Sequence, residues 1–206
     1  GILTISAIVG GQTRTATLTV TVAPGTSYPA GLSMISSPYD YSGQPLSAVF
    51  GITGVKLAVW QPGAGIYAYT PNAPADTLRP GQGYWVRLTK AATLATAGTP
   101  ADPTTDFPIA LQAGWNQIGD PFLVPITLGN VHVSSGSATA TFAQAAAGTP
   151  PMPLLVSGLV YSYSSSAGSG KGAYLLTRSD GSLQPGMGYW IYAYQPVTLI
   201  IPHPGQ

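Results

Sequence analysis

A nine-residue pattern occurs twice in this chain. Leu78-Arg79-Pro80-Gly81-Gln82-Gly83-Tyr84-Trp85-Val86 returns 105 positions later as Leu183-Gln184-Pro185-Gly186-Met187-Gly188-Tyr189-Trp190-Ile191. A second pair precedes it in the same order: residues 30–39, Ala-Gly-Leu-Ser-Met-Ile-Ser-Ser-Pro-Tyr, align at an offset of 83 with residues 113–122, Ala-Gly-Trp-Asn-Gln-Ile-Gly-Asp-Pro-Phe. Thr93-Leu94 and Thr198-Leu199 keep the larger offset. Two matched patterns in one order signal an internal duplication. The chain therefore divides into residues 1–24, a first copy at 25–99 and a second copy at 100–206, with a linker over 98–108. The offsets differ by 22, so the second copy carries an insertion of that size, placed within residues 131–156. That stretch is rich in Ala, Ser and Thr and ends in Pro150-Pro151-Met152-Pro153, which reads as a surface excursion.

The repeated residues specify strands and turns. Proline presets φ at the second position of a turn, and glycine accepts the positive φ that a type II turn needs at the third. The second glycine, Gly83 or Gly188, leaves room for close backbone approach where a strand begins. Side chains then alternate. Tyr84, Val86 and Leu88 share one face with their counterparts Tyr189, Ile191 and Ala193, and this face is expected to be core. Trp85 and Arg87, matched by Trp190, Tyr192 and Tyr194, take the other. Three readings of that aromatic face stay open: a surface that stacks on sugar rings, burial of one copy against the other or in a second small core, or a contact between subunits, where Trp, Tyr and Arg concentrate. Trp60 with Tyr67 and Tyr69, and Tyr161 with Tyr163, raise the same question.

With 26 Gly and 20 Pro the chain is rich in turn formers, yet 45 % of residues are hydrophobic and 10 % aromatic, which is incompatible with a disordered composition. Turn residues punctuating short apolar runs predict an all-β fold, each copy an antiparallel sandwich or barrel. Residues 141–147, Thr-Phe-Ala-Gln-Ala-Ala-Ala before Gly148, are the best helix candidate.

The first residues form a separate pattern. Leu3, Ile5, Ala7 and Val9 alternate up to Gly10-Gly11; Ala16, Leu18, Val20 and Val22 then alternate with five threonines. This predicts a β-hairpin over 2–9 and 13–22, followed by a linker at Ala23-Pro24-Gly25. It resembles the closing two strands of immunoglobulin-like modules of large bacterial surface proteins. A lone hairpin is marginal in water. Its apolar residues, Leu3, Ile5, Ala7, Val9, Leu18, Val20 and Val22, are thus candidates for an interface, either with the rest of the chain or with a neighbouring molecule whose sheet the hairpin completes. Over residues 28–202 the combination of Gly-Trp-Asn-x-Ile-Gly-x-Pro-Phe, Leu-x-Pro-Gly-x-Gly-Tyr-Trp and Thr-Leu-Ile-Ile-Pro is similar to a module of large secreted and cell-surface bacterial proteins. The first copy departs from it with Leu32-Ser33-Met34 in place of Trp-Asn-x. The resemblance implies an extracellular location and brings no enzymatic activity with it.

Charge and residue inventory narrow the chemistry. Charged residues are 6 % of the chain and the net charge is +1, too little for a phosphate-tracking surface, so nucleic acid is not an expected partner. Cysteine is absent, which excludes disulfides and thiolate chemistry. No apolar run reaches the ~18 residues of a membrane span. Ala167-Gly168-Ser169-Gly170-Lys171-Gly172 has the look of a phosphate loop but lacks the first glycine and the final Ser or Thr, so it reads as a hairpin turn. His132 and His203 stand far apart in sequence, and Asp102 and Asp106 read as solvated turn residues, so neither a metal nor a cofactor site is expected. These features together predict a non-enzymatic extracellular structural protein, a filament or surface-array subunit joined to copies of itself by strand donation. The alternative is a carbohydrate-binding or adhesive module with glycans as partner.

Overall fold

A computed structural model describes residues 2–9, 12–19, 26–95, 97–136, 138–148 and 153–205, the first two stretches as paired backbone. The protein is all-β: its strands lie in several antiparallel sheets, with two short helices. Strands β1 (Ile2–Val9) and β2 (Gln12–Thr19) form a two-stranded sheet in which Leu3 stands opposite Leu18 and Ile5 opposite Ala16. Val20, Val22 and the linker at 23–25 lie outside the described residues, as do the side chains of Leu3, Ile5, Ala7, Val9 and Leu18.

The first copy comprises β3 (Ser27–Tyr28), β4 (Gly31–Ile35), β5 (Tyr39–Asp40), helix α1 (Leu46–Phe50), β6 (Lys56–Gln61), β7 (Ile66–Tyr69), β8 (Tyr84–Leu88), β9 (Ala92–Thr93) and β10 (Thr99–Pro100). The second comprises β11 (Phe107–Leu111), β12 (Gly114–Gly119), β13 (Ile126–Thr127), β14 (His132–Ser134), β15 (Thr139–Thr141), helix α2 (Phe142–Ala147), β16 (Val156–Ser164), β17 (Ala173–Arg178), β18 (Ser182–Leu183), β19 (Gly188–Ala193) and β20 (Val197–Ile201). Both build the same four-stranded sheet, β4-β8-β6-β7 in one and β12-β19-β16-β17 in the other. The registers agree pair by pair: Ile35 opposite Tyr84 matches Ile118 opposite Tyr189, and Met34 opposite Trp85 matches Gln117 opposite Trp190.

Each copy has its own core. In the first, Tyr84, Val86 and Leu88 pack with Leu57, Val59, Phe50 and Leu78; in the second, Tyr189, Ile191 and Ala193 pack with Val160, Leu199 and Phe142. Residues from β12, β16 and β19 meet residues from β11, β14 and β20 in one cluster, so the second copy is a sandwich of two open sheets. No closed barrel forms among the described residues.

Within residues 131–156, expected to include a surface excursion, described residues also supply core, while 137 and 149–152, with most of the Pro-rich run, lie outside the described residues. Strands β14 and β15 extend the β11-β20 sheet, and Val131, Val133, Ala140, Phe142, Ala145, Leu155 and Val156 are buried. Helix α2 starts at the predicted place. Thr141 accepts from the Gln144 N–H while the Gln144 side chain accepts from the Thr141 N–H, a capping box that satisfies two of the otherwise free donors of a first turn. The linker expected over 98–108 is partly strand, because β10 pairs with β5.

The candidate site: an aromatic groove at the seam of the two copies

The copies meet about a local pseudo-two-fold relation, and the repeated glycines make it possible. Gly81 and Gly186 hold φ of +77° and +82°, the left-handed value a type II turn demands. The turn carbonyls reach the other copy: the Ser36 N–H donates to Gly186 O at 2.9 Å, and the corresponding Gly119 N–H donates to Gly81 O at 3.0 Å. Gly83 and Gly188 sit so close to the opposite chain that a Cβ would lie 2.6 Å from Ile118 O and Ile35 O respectively. The tyrosine after each glycine locks its own turn. Tyr84 Oη accepts from the Arg79 N–H and Tyr189 Oη from the Gln184 N–H, both at 2.9 Å. Burial pushes both hydroxyls above the ordinary tyrosine range, Tyr189 to about 12.

With the inward faces committed to the cores, the outward faces of the two matching four-stranded sheets, β4-β8-β6-β7 and β12-β19-β16-β17, meet ring to ring. Trp190 packs edge-on against Trp60 at 6.0 Å between centroids and against Tyr67 at 6.5 Å. The counterpart contacts are Trp85 with Tyr163 at 5.0 Å and Tyr174 at 6.4 Å. Edge-to-face geometry of this kind adds about 0.5–1.5 kcal/mol per pair beyond area burial. Polar bonds staple the seam. Gln117 Oε1 accepts from the Trp60 N–H at 2.7 Å, at a point on β6 beyond its pairing with β8. The indole Nε1–H of Trp60 donates to Trp115 O at 2.8 Å, and Gln82 Nε2 donates to Gln117 O at 3.0 Å.

The pseudo-symmetry breaks at the second copy's end. Where the first copy has Leu32 opposite Arg87, the second has Trp115 opposite Tyr192. Trp115 touches Trp190, Tyr161 and Tyr192 edge-on, and Tyr192 continues to Tyr194. Between these rings lies a groove of about 550 Å³ lined by Trp60, Tyr67, Trp115, Tyr161, Tyr174, Leu176 and Trp190. Trp115 is 43 % exposed and Tyr174 51 %, large values for such side chains.

Of the five residues expected on the aromatic face, Trp85 and Trp190 are half-buried between the copies, Tyr192 is half-buried beside Trp115, and Arg87 and Tyr194 are exposed. Sequence reasoning left out Trp115 and Tyr174. The first stood inside the quoted Gly-Trp-Asn pattern without being read as surface, and the second required the β16–β17 register, which places Tyr174 opposite Tyr163.

The Ala167–Gly172 stretch is the turn between β16 and β17. Asp102 Oδ1 accepts from the Thr104 N–H and hydroxyl, and these bonds lower its pKa. Asp106 Oδ1 meets the backbone N–H and Nδ1 of His203 at 3.0 and 2.9 Å, a pairing that holds its carboxyl below the usual range. His132 and His203, remote in sequence, line one cavity of about 410 Å³, and among the described residues no three His, Cys, Asp or Glu side chains gather to hold a metal ion. Asp120 is fully buried; its Oδ1 accepts from the Phe122 N–H at 2.9 Å, and desolvation pushes its pKa to about 7. No helix among the described residues is long and apolar enough to cross a membrane. No protein-family model, curated protein or solved structure matches this chain.

Proposed function

We propose that this chain is a non-enzymatic glycan-binding module that works outside the cell, with the seam groove as its recognition surface. The observation that carries the reading is the exposure of Trp115 and Tyr174 beside rings already fixed by packing, in a groove with no charged side chain in its lining. Rings held by neighbours lose little freedom when a ligand stacks on them, so stacking converts to affinity with a small ordering cost. The resemblance of residues 28–202 to modules of bacterial surface proteins supports the location. In an affinity gel series against soluble polysaccharides, retardation is expected for the native chain, and Trp115→Ala and Tyr174→Ala should abolish it while still unfolding cooperatively, at melting temperatures lowered only by the ring contacts each gives up. Migration unaffected by every polysaccharide, or retardation indifferent to both substitutions, would overturn the reading.

A second reading, self-assembly into a filament or surface array by strand donation, is favoured by a different observation. Among the described residues, β1 and β2 pair with each other and with no third strand, and a two-stranded sheet gains stability from added cover.

A further inference from the structure

We infer that the glycan taken by the groove is an acidic polysaccharide, its carboxylates or sulfates held by cations at the two ends of the aromatic face; this rests on the glycan-binding reading above. The eight strands of the two matching sheets, β4-β8-β6-β7 and β12-β19-β16-β17, carry three charged residues, Lys56, Arg87 and Arg178, and all are positive. Strand alternation puts all three on the aromatic face. Lys56 and Arg87 stand directly opposite each other, one step from the Ala58–Trp85 pair. Arg178, opposite Leu159, follows Leu176 and Tyr174 along β17. All three side chains are exposed, and among the described residues none is in an ion pair. Like charges directly opposed across an antiparallel pair destabilise it. Placing Lys56 against Arg87 with no acid on any of the eight strands is therefore a cost without an internal return, and an anion bound between them removes it.

The charge layout selects the ligand class. A polymer with one charge per sugar or per disaccharide matches neutral rings in the middle and cations at the ends: sugar faces stack on Trp115 and Tyr174 while acidic groups reach Arg178 on one side and Arg87 with Lys56 on the other. Single-stranded nucleic acid also joins stacking to charge, but it presents a phosphate at every nucleotide and requires a basic track along the whole groove. Here the groove lining itself is uncharged.

The test uses the full chain with alginate, polygalacturonate and hyaluronan, each beside its carboxyl-reduced form, which keeps the rings and removes the charge, and with oligo(dT) and neutral glucans. At least one acidic polymer should bind tenfold or more tighter than its reduced form, and raising NaCl from 50 to 500 mM should weaken that binding as screening predicts. Arg178→Gln should lower affinity severalfold with unchanged melting, the double variant Lys56→Gln/Arg87→Gln should lower it severalfold while melting at or above the native temperature because the opposed like charges are gone, and Trp115→Ala should remove binding. Equal, salt-insensitive binding of acidic and reduced forms overturns the inference and leaves the glycan reading standing. Neutral glucans alone being bound has the same meaning. Binding of oligo(dT) without any polysaccharide, acidic binding indifferent to Trp115→Ala, or no binding at all overturns both.

Discussion

At the scale of single residues, the repeated glycines separate into two kinds by physical role. Gly81 and Gly186 are required by backbone conformation, whereas Gly83 and Gly188 are required by the nearness of another strand. Gly188 has no positive φ, yet its Cβ would meet Ile35 O at 2.6 Å and Ile35 N and Met34 Cγ at 3.0 Å. Backbone atoms cannot swing aside, so Gly188→Ala is expected to cost about 1–3 kcal/mol as overpacking, read as a lowered urea midpoint. Gly63→Ala, with nothing within 4 Å of the added Cβ, should stay within about 0.5 kcal/mol of the native chain. Asp120 takes the place of Ser37 in the duplication, a carboxyl where the first copy has a hydroxyl. Desolvation raises its folded pKa to about 7, above the ordinary aspartate value of about 3.9. The folded state therefore holds a proton that the unfolded chain has released. Stability is fullest below the unfolded value and declines as pH rises from about 4 to 7, by up to about 1.4 kcal/mol per pH unit. Asp102 and Asp106 shift the other way, so their contributions fall away only on acidification through the carboxylate range. Unfolding titrations at pH 4, 5, 6 and 7 should show the decline, and Asp120→Asn, which keeps an oxygen for the Phe122 N–H, should flatten it.

At the scale of elements, patterns confined to a few residues were legible and pairings between distant segments were not. The short Ala-rich run of helix α2 before Gly148, the Pro-Gly turns and the strand alternation of β8 and β19 all follow from local geometry. Helix α1 escaped detection because Leu46–Phe50 is too short to show a helical period and has no side-chain cap, resting instead on Leu46, Val49 and Phe50 in the core. The core contribution of β14 and β15 was not legible because small Ala, Ser and Thr residues look like surface until a neighbouring sheet edge, that of β20, is there to receive them. The hairpin β1–β2 is the element on which the assembly reading turns. Since each copy has its own buried core, a chain lacking residues 1–24 should fold with its near-native melting temperature and run as a monomer in sedimentation. Native material should show fibres or sheets in negative stain; fibres that persist after the deletion would remove the hairpin from the assembly.

At the scale of the whole molecule, the two copies act as one body because backbone as well as side chains cross the seam. Ser36 to Gly186, Gly119 to Gly81 and the Gln117 staple to Trp60 tie sheet to sheet. Thermal unfolding is therefore expected as a single transition. Gln117→Ala, which strips the acceptor from the Trp60 N–H, should cost about 1–3 kcal/mol and broaden or split the calorimetric peak as coupling weakens; an unchanged single peak would show the staple to be dispensable. Composition, turn chemistry and period-two alternation were enough to determine an all-β chain, its duplicated strands, their inward faces and the absence of thiol chemistry, because each depends on residues within one turn or strand of each other. Whether the tryptophans faced solvent or protein was decided only by tertiary structure. The same alternation that sends Tyr84 and Tyr189 inward sends Trp85 and Trp190 outward, and what meets an outward face depends on how two sheets far apart in the chain come together. Docking them about a pseudo-two-fold buries Trp85 and Trp190 by half and, because Trp115 replaces Leu32 and Tyr174 lies on an edge strand, leaves one end of the seam open.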